Sequence, residues 1–366
     1  MIISPESWGI NFVSKHHYTL ELLKRGNRVI FLNPPNKKYL RYNADFHPDY
    51  KSLVILNSPN LLKGLNWLTF GVRKIYHQYQ ANIILELIND KLDIVWSFDP
   101  YRLQYLKGFK ANLNIYHAMD DHKSPVENDI AESSDLIFSV SDLVKNKFKS
   151  MDKKCFKINH GVRDYFLSNK IISTKIISKE GKINVGCVGN LHYPYFDNLT
   201  FKRIIVENSD IEFSFIGPYE KSNLSLNEWN TNFVNFLKNM DNVTLIGPKP
   251  SNELPSYLVQ FDLFLICYKS DLNPIHTSNN HKLLEFLSTG KVVVSHYIDE
   301  YKDKSNLLEM VETSNLLPNK FSHIINNLDY YNSKDKINIR KKYASDNSYF
   351  NQLNRIEKII NDYIVG

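Results

Sequence analysis

Lys282 and Glu285 stand three positions apart in the run His281-Lys282-Leu283-Leu284-Glu285-Phe286-Leu287-Ser288-Thr289-Gly290-Lys291-Val292-Val293-Val294-Ser295. The spacing of apolar residues predicts a helix that carries an acid, a glycine stop at Gly290 and a short buried strand. An apolar strand, Leu263 to Cys267, and a polar approach, Tyr268 to Asn280, precede it. A helix opening there aims its free N–H groups and positive dipole end beyond the strand ends, and that geometry attracts phosphate. Lys282 adds a cationic donor in the first turn, and Glu285 can accept from the two hydroxyls of a ribose. The chemistry this pattern suits is holding a nucleotide.

Other residue clusters fall at the ends of expected strands. Ile115-Tyr116-His117-Ala118-Met119-Asp120-Asp121-His122 is rich in titratable groups. A carboxylate there suits binding an acceptor hydroxyl or acting as general base, and a histidine suits either role or a phosphate contact. The alternative is a solvated turn with Asp capping the next helix. Trp8-Gly9, within Ser4 to Asn11, and Asp99-Pro100 follow other strands and are candidate ligand loops. Gly186-Cys187-Val188-Gly189-Asn190-Leu191-His192 lacks the full G-x-G-x-x-G pattern and the later acid, so it is a structural turn or a ligand loop but not a dinucleotide site. Asp197 or Asn198 would cap the helix after it. In Ile246-Gly247-Pro248-Lys249-Pro250-Ser251, backbone groups are placed to read a base edge while Ser251 serves as N-cap. No Gly-x-Ser-x-Gly elbow, HExxH motif or Walker A loop occurs, which counts against hydrolase, metalloprotease and P-loop chemistry.

The elements that must position these groups alternate between short apolar runs and longer amphipathic ones, the pattern of an α/β protein with mostly parallel strands. A first series has strands Met1 to Ser4, Arg28 to Leu32, Asp93 to Phe98, Leu113 to His117, Leu136 to Val140 and Cys155 to Ile158, with helices Val13 to Lys24, Ile83 to Lys91 and Ser141 to Lys149. A second follows a motif-poor segment, Ser168 to Gly181. Its strands are Ile183 to Val188, Ile211 to Ile216, Val243 to Ile246, Leu263 to Cys267 and Val292 to Ser295, and its helices Leu199 to Val206, Ser251 to Gln260 and Lys282 to Ser288. A helical run, Tyr349 to Tyr363, closes the chain. Two doubly wound, Rossmann-like domains facing a cleft is the simplest architecture.

At 366 residues the chain exceeds what one core usually organises, so two domains are expected. No apolar run approaches the ~20 residues needed to span a bilayer and no signal peptide is legible, which points to a cytoplasmic protein. Cys155, Cys187 and Cys267 are far apart and suit reduced core positions, not a disulfide or a zinc site. The net charge of +6 is concentrated early: residues 1–170 hold 24 Lys/Arg and 17 Asp/Glu. There, Leu61 to Tyr76 mixes bulky apolar residues with Lys63, Arg73 and Lys74, as a membrane-surface segment does, or as a core-facing helix with a basic solvated face does. No nucleic-acid-binding motif accompanies the charge.

Taken together, these residues resemble the bacterial GT-B fold glycosyltransferases, in particular the GT4-like group that includes teichuronic acid and other surface-polysaccharide enzymes. The resemblance is carried by Ser4-Pro5-Glu6-Ser7-Trp8-Gly9, Tyr116 to Asp121, Asn159-His160-Gly161-Val162, Gly186 to Leu191, Ile246 to Pro250, Glu253-Leu254-Pro255 and the Lys282-to-Val294 block. It implies an N-terminal acceptor-binding domain over 1–168, a C-terminal nucleotide-sugar-binding domain over 182–345 and a last helix, 346–366, returning to the first domain. Glu285 matches the second acid of the family's Glu-x7-Glu motif, the one associated with the ribose. The first acid is missing: Thr277 stands there, in Thr277-Ser278-Asn279-Asn280, so contacts to the donor sugar fall to hydroxyl, amide or backbone groups. The basic residues many relatives carry after the first C-domain loop are replaced by His192-Tyr193-Pro194-Tyr195, which leaves phosphate neutralisation to Lys282, His281 and the helix N-terminus.

The expectation is a hexosyltransferase-like enzyme that moves a sugar from a nucleoside diphosphate to a glycan or lipid-linked glycan in surface-polysaccharide synthesis, with retention of configuration and without metal or cofactor. The donor side comprises Gly189, Asn190, His192, Lys249, Thr277, Ser278, Asn279, Asn280, His281, Lys282 and Glu285; His117, Asp120 and Asp121 serve catalysis, and Trp8 and Gly9 the acceptor. Peripheral contact through 61–76 would hold the enzyme at the inner face of the membrane. Two alternatives stand: a sugar-nucleotide epimerase of the same architecture, and a catalytically silent member of a polysaccharide assembly complex.

Overall fold

Apolar runs buried on both faces build two largely parallel sheets, because a strand covered on each side by helices has no solvent face for polar residues to mark. The computed structural model describes residues 1–9, 12–122, 124–168, 181–220, 231–269 and 279–366. The chain divides into two compact units, Met1–His160 with Tyr349–Gly366, and Gly161–Ser348.

In the first unit the strands are β1 (Ile2–Ile3), β2 (Val29–Pro35), β3 (Asn43–Phe46), β4 (Leu53–Ser58), β5 (Ile94–Ser97), β6 (Leu113–Ala118), β7 (Leu136–Ser139) and β8 (Lys154–Lys157). They lie in the order β3-β4-β2-β1-β5-β6-β7-β8, and only β3 runs antiparallel to its neighbour. All of β6 is buried, whereas the edge strands β3 and β8 expose polar residues. The helices are α1 (Ser14–Lys24), α2 (Phe70–Ile88), α3 (Val126–Ser133) and α4 (Asp142–Asn146). Two expectations are corrected here. The helix expected over Ile83 to Lys91 begins at Phe70: Gly71 falls in the first turn, where few intrahelical bonds depend on it, and Asn89 ends the helix in the left-handed conformation, φ 45°. The helix expected over Ser141 to Lys149 is confined to Asp142–Asn146, with Ser141 as N-cap accepting from Val144 N–H.

The second unit stacks β9 (Asn184–Val188), β10 (Glu212–Ile216), β11 (Val243–Gly247), β12 (Leu263–Ile266), β13 (Val292–Ser295) and β14 (Glu309–Met310) in the order β11-β10-β9-β12-β13-β14, every pair parallel. Its helices are α5 (Asn198–Glu207), α6 (Thr231–Lys238), α7 (Leu254–Leu258), α8 (Lys282–Thr289), α9 (Leu317–Ile325), α10 (Leu328–Tyr331) and α11 (Lys334–Asp346). Asp197 caps α5, accepting from Thr200 N–H at 3.2 Å. Ser251 does not cap the next helix, because α7 starts later, with Pro255 in its first turn, where a missing N–H costs nothing. At the end of β10, Gly217 has φ 142°, and a Cβ there would lie 1.9 Å from the Gly189 carbonyl oxygen, so only glycine lets the β9 and β10 turns meet.

Helix α8 is set by its own sequence and by what covers it. Leu283, Leu284, Phe286 and Leu287 are buried, each burial worth about 1.5–3 kcal/mol, and the Phe286 ring stacks on Phe264 of β12 at 4.3 Å. Gly290 ends the helix at φ 81°. The buried Arg340 of α11 donates to the Gly290 and Tyr331 carbonyls at 3.1 and 2.8 Å, tying down the helix end. The last helix, α12 (Tyr349–Val365), lays Leu353, Ile356 and Ile360 on the core of the first sheet with Ile2, Phe31 and Trp96.

Candidate functional site

Because β12, α8 and β13 follow in sequence and the strands are parallel, α8 runs back along the sheet and opens at the strands' carboxyl ends, where ligands bind in open α/β sheets. Asn280 organises that opening: its Oδ1 accepts from Lys282 N–H at 3.0 Å, and its carbonyl accepts from Leu283 N–H at 3.0 Å. Two of the helix's first N–H groups are thus already satisfied by Asn280. Asn279 and Lys282 are half-buried and His281 is exposed. Thr277 and Ser278 lie outside the described residues.

Glu285, one turn into α8, is buried. Arg163 Nη2 donates to its Oε1 at 3.1 Å, and both side chains are largely shielded from solvent. Arg163 sits just before the short 3-10 turn Asp164–Phe166, whose Phe166 is buried in the same core as Leu283 and Phe286. Its guanidinium lies over the Tyr165 ring at 5.1 Å and the Phe166 ring at 5.5 Å, and it donates to the Tyr165 hydroxyl. Tyr165 Oη in turn donates to Ser251 Oγ at 3.1 Å. A hydrogen-bonded chain Glu285–Arg163–Tyr165–Ser251 therefore links α8 to the turn after β11.

Burial pushes the Glu285 carboxyl above the usual carboxylate range, opposed by Arg163 and Lys282. Burial also lowers the Lys282 ammonium, opposed by Glu285. Both groups have given up part of their hydration and are incompletely compensated, so a ligand that brings hydroxyl donors to the acid and negative charge to the lysine stabilises both charged forms.

The remaining donor-side residues lie at the same edge of this sheet, on the turns after β9 and β11. Gly189 N–H donates to the Ile216 carbonyl at 2.9 Å. The exposed Asn190 accepts from His192 N–H through Oδ1 at 3.0 Å, closing the turn. Lys249 is half-buried over the Tyr257 ring at 5.4 Å. Arg163 and Tyr165 were not among the expected residues. Arg163 directly follows the Asn159-His160-Gly161-Val162 segment, but nothing local marks an arginine that pairs 122 positions away.

The first unit treats its titratable cluster differently. His117 is fully buried among Trp96, Phe98, Tyr18 and Phe138, with ring centroids 5.1 to 5.9 Å away. Neither ring nitrogen has a hydrogen-bond partner among the described residues, and burial lowers its pKa to about 3. The strand-end acid or base expected at His117 is a neutral core ring, because β6 continues through Ala118 and carries the side chain into the aromatic core. Asp121 is also buried: Lys147 Nζ donates to its Oδ1 at 2.9 Å and to Glu127 Oε2 at 2.6 Å. Tyr116 Oη donates to Glu127 Oε1 at 2.8 Å. Burial works against the Lys147 charge, but Glu127 and Asp121 outweigh it and raise its pKa. Asp120 alone of the three is exposed. Trp8 N–H donates to Asn33 Oδ1 at 2.8 Å, its ring meets Phe12, Phe31 and His16, and Gly9 is exposed. The buried Arg102 holds this loop's base, donating to the Ser4 carbonyl, to the Asn33 carbonyl at 2.7 Å and to Asp99 Oδ2 at 2.7 Å.

Among the described residues no group of three or more His, Cys, Asp or Glu is placed to hold a metal ion, and no helix is long and apolar enough to cross a membrane. The three cysteines are free.

No protein-family model matches this sequence, and neither does any curated protein. Solved structures do match at nearly full length. A glycosyltransferase from Rickettsia africae has a TM-score of 0.71 at 14% identity, covering 99% of this chain and 97% of its own. A UDP-forming trehalose-phosphate synthase from Burkholderia xenovorans has 0.71 at 9% identity, covering 99% and 98%. The Anabaena protein HepE, solved in complex with UDP and glucose, has 0.66 at 12% identity, covering 98% and 99%. The chain has the two-domain α/β fold that these proteins share, the GT-B fold.

Proposed function

We propose that the chain is a glycosyltransferase that takes a sugar from a nucleoside diphosphate and delivers it to a glycan acceptor. The observation that carries this reading is the buried Glu285, held by Arg163 at 3.1 Å beside the half-buried Lys282 where α8 opens. The ribose hydroxyls donate to Glu285 and replace part of its lost hydration. The diphosphate lies against Lys282, His281 and the first N–H groups of α8. As the sugar departs, charge develops on the diphosphate, and donors already oriented there lower the barrier without reorganising. Asn279, Asn280, Gly189, Asn190, His192 and Lys249 frame the donor, and Thr277 and Ser278 belong to the same segment.

Acceptor recognition is assigned to the strand-end loops of the first unit: Trp8 and Gly9, with the exposed Asp120 as the group that orients a hydroxyl. Asp121, already paired with Lys147, acts through position rather than as a free base. Retention of configuration, metal independence and a place in surface-polysaccharide synthesis on the cytoplasmic side complete the proposal. A lipid-linked acceptor fits the exposed side chains of 61–76, where Trp67 is 92% and Ile75 74% exposed. Lys63 and Lys74 supply the basic charge there; Arg73 does not, because it is buried and paired with Asp129.

Calorimetric titration with UDP, GDP, CMP and ADP tests the reading. Binding of one nucleotide, weakened at least about tenfold in Glu285→Gln, supports it; failure of all four removes it. Turnover of a donor without any acceptor would point instead to an epimerase.

A further inference from the structure

Arg163 holds Glu285 by one oxygen. Its Nη2 donates to Oε1 at 3.1 Å, and among the described residues no donor reaches Oε2. The two side chains are only 12% and 7% exposed. A guanidinium carries its donors in a planar fork and has no acceptor, so each of its partners must accept. Glu285 does, and so does Tyr165, whose hydroxyl accepts from Arg163 and gives its own proton to Ser251 Oγ at 3.1 Å. Burial raises the Tyr165 phenol, which keeps that proton in place. With the Tyr165 and Phe166 rings 5.1 and 5.5 Å away, the guanidinium is pinned on several sides, and the Glu285 carboxylate is oriented by it.

The charges that act on Glu285 are Arg163 and Lys282. Lys282 is half-buried, and burial disfavours its ammonium; of the two, the guanidinium is the permanent charge. The other charged groups on elements packed against α8 are placed elsewhere. His281, Asp164 and Glu253 are exposed, and Lys249 lies over the Tyr257 ring. On α11, Arg340 and Lys341 lie at Gly290, the far end of the helix, and Lys342 pairs with Asp346.

We propose that Arg163 is a positioning residue for nucleotide binding: it fixes Glu285 through Oε1 and presents Oε2 to the two ribose hydroxyls, without touching the nucleotide itself. It also keeps the acid charged, since a buried carboxylate that loses its cation takes up a proton. The inference rests on the nucleotide reading of α8, and its first test uses no nucleotide.

Glutamate labelled with 13C at Cδ is followed by NMR in the free protein from pH 5 to 9, the Glu285 signal being identified by its absence in Glu285→Gln. Its titration midpoint should lie at least about one pH unit higher in Arg163→Met than in wild type, and Arg163→Lys, which keeps the charge, should recover most of that shift. Calorimetry with the nucleotide that wild type binds follows. Arg163→Met should weaken binding at least about tenfold at pH 7, and the loss should grow as pH falls through the midpoint read by NMR. In the Glu285→Gln background the same substitution should change affinity less than twofold, because a residue that acts through the acid has nothing left to act on. Should Arg163→Met fail to fold, Arg163→Gln, which keeps a donor for Oε1 without the charge, takes its place with the same expected shift. An unmoved midpoint would overturn the proposal. So would losses that multiply in the double variant, since Arg163 would then touch the nucleotide directly. Failure of all four nucleotides to bind wild type would remove the nucleotide reading, and this role with it.

Discussion

The two sheets end in polar clusters that differ in what they leave unfinished. In the second unit, one buried acid, Glu285, faces one arginine, and Lys282 beside it is only half-buried. In the first, one lysine serves two buried acids, Asp121 and Glu127, and a tyrosine hydroxyl completes the set. The first arrangement gains from a ligand that brings hydroxyl groups and negative charge. The second spreads one positive charge over two buried carboxylates, and removing the lysine leaves both stranded. The strand-end clusters of the two sheets thus differ in how their buried charges are partnered: one acid faces one arginine in the second unit, and one lysine is shared by two acids in the first.

Acid is the strongest way to separate the units. His16, His77 and His117 are buried in the first, with pKa values lowered by burial to about 4, 4 and 3; in the second, His296 is lowered to about 4. A depressed histidine pKa means that the unfolded chain binds more protons, so the stability it contributes is full above about pH 6.5 and is lost as pH falls toward the folded value. Three such groups remove about 4 kcal/mol over one pH unit in that window, and one removes about 1.4. Hydrogen exchange measured from pH 7 to 4 should therefore show the first unit opening at higher pH. Equal acid sensitivity would break the comparison.

Lys147→Met comes next. It strands two buried carboxylates and should cost about 3–5 kcal/mol, read by urea unfolding at pH 7; a loss under 1 kcal/mol would mean the acids are not held as described. Glu285→Gln removes a charge-assisted acceptor worth about 1.5–3 kcal/mol, so nucleotide affinity should fall roughly tenfold to hundredfold, while the amide still accepts from Arg163 and the loss of stability stays smaller than in Lys147→Met. Its calorimetric signature separates a binding group from a structural one. The smallest effect belongs to His117→Phe, which keeps an aromatic ring in the box and removes two nitrogens without partners. Stability should shift by no more than about 1.5 kcal/mol, and transfer rates should hold. A hundredfold fall in rate with stability intact would return His117 to catalysis.

The sequence marked β7, β12 and β13, which are short apolar runs with no competing helical period, and β6 despite its Asn114 and His117, but not the largely buried β4, Leu53–Ser58. It missed β3, whose polar residues sit at a sheet edge, and α11, whose outward face is crowded with lysines while a few residues such as Arg340 and Ala344 reach the core. Glu285 and Lys282 were legible because both lie within one helix turn and owe their place to local periodicity. Arg163 was not, because its pairing depends on how a turn packs against α8. His117 looked functional for the complementary reason: composition shows a titratable cluster but not how far its strand runs.

What the chain alone determined is therefore the local: where many of the strand segments lie, where α8 begins and stops, and that an acid and a lysine share its first turns. These follow from hydrogen-bonding period, capping and glycine geometry, which act over a few residues. Only the tertiary structure decided the electrostatic state of each group. Burial and partners distant in sequence leave Glu285 needing more than Arg163 supplies, tie Asp121 to Lys147 through one carboxylate oxygen, and hold His117 neutral in an aromatic core.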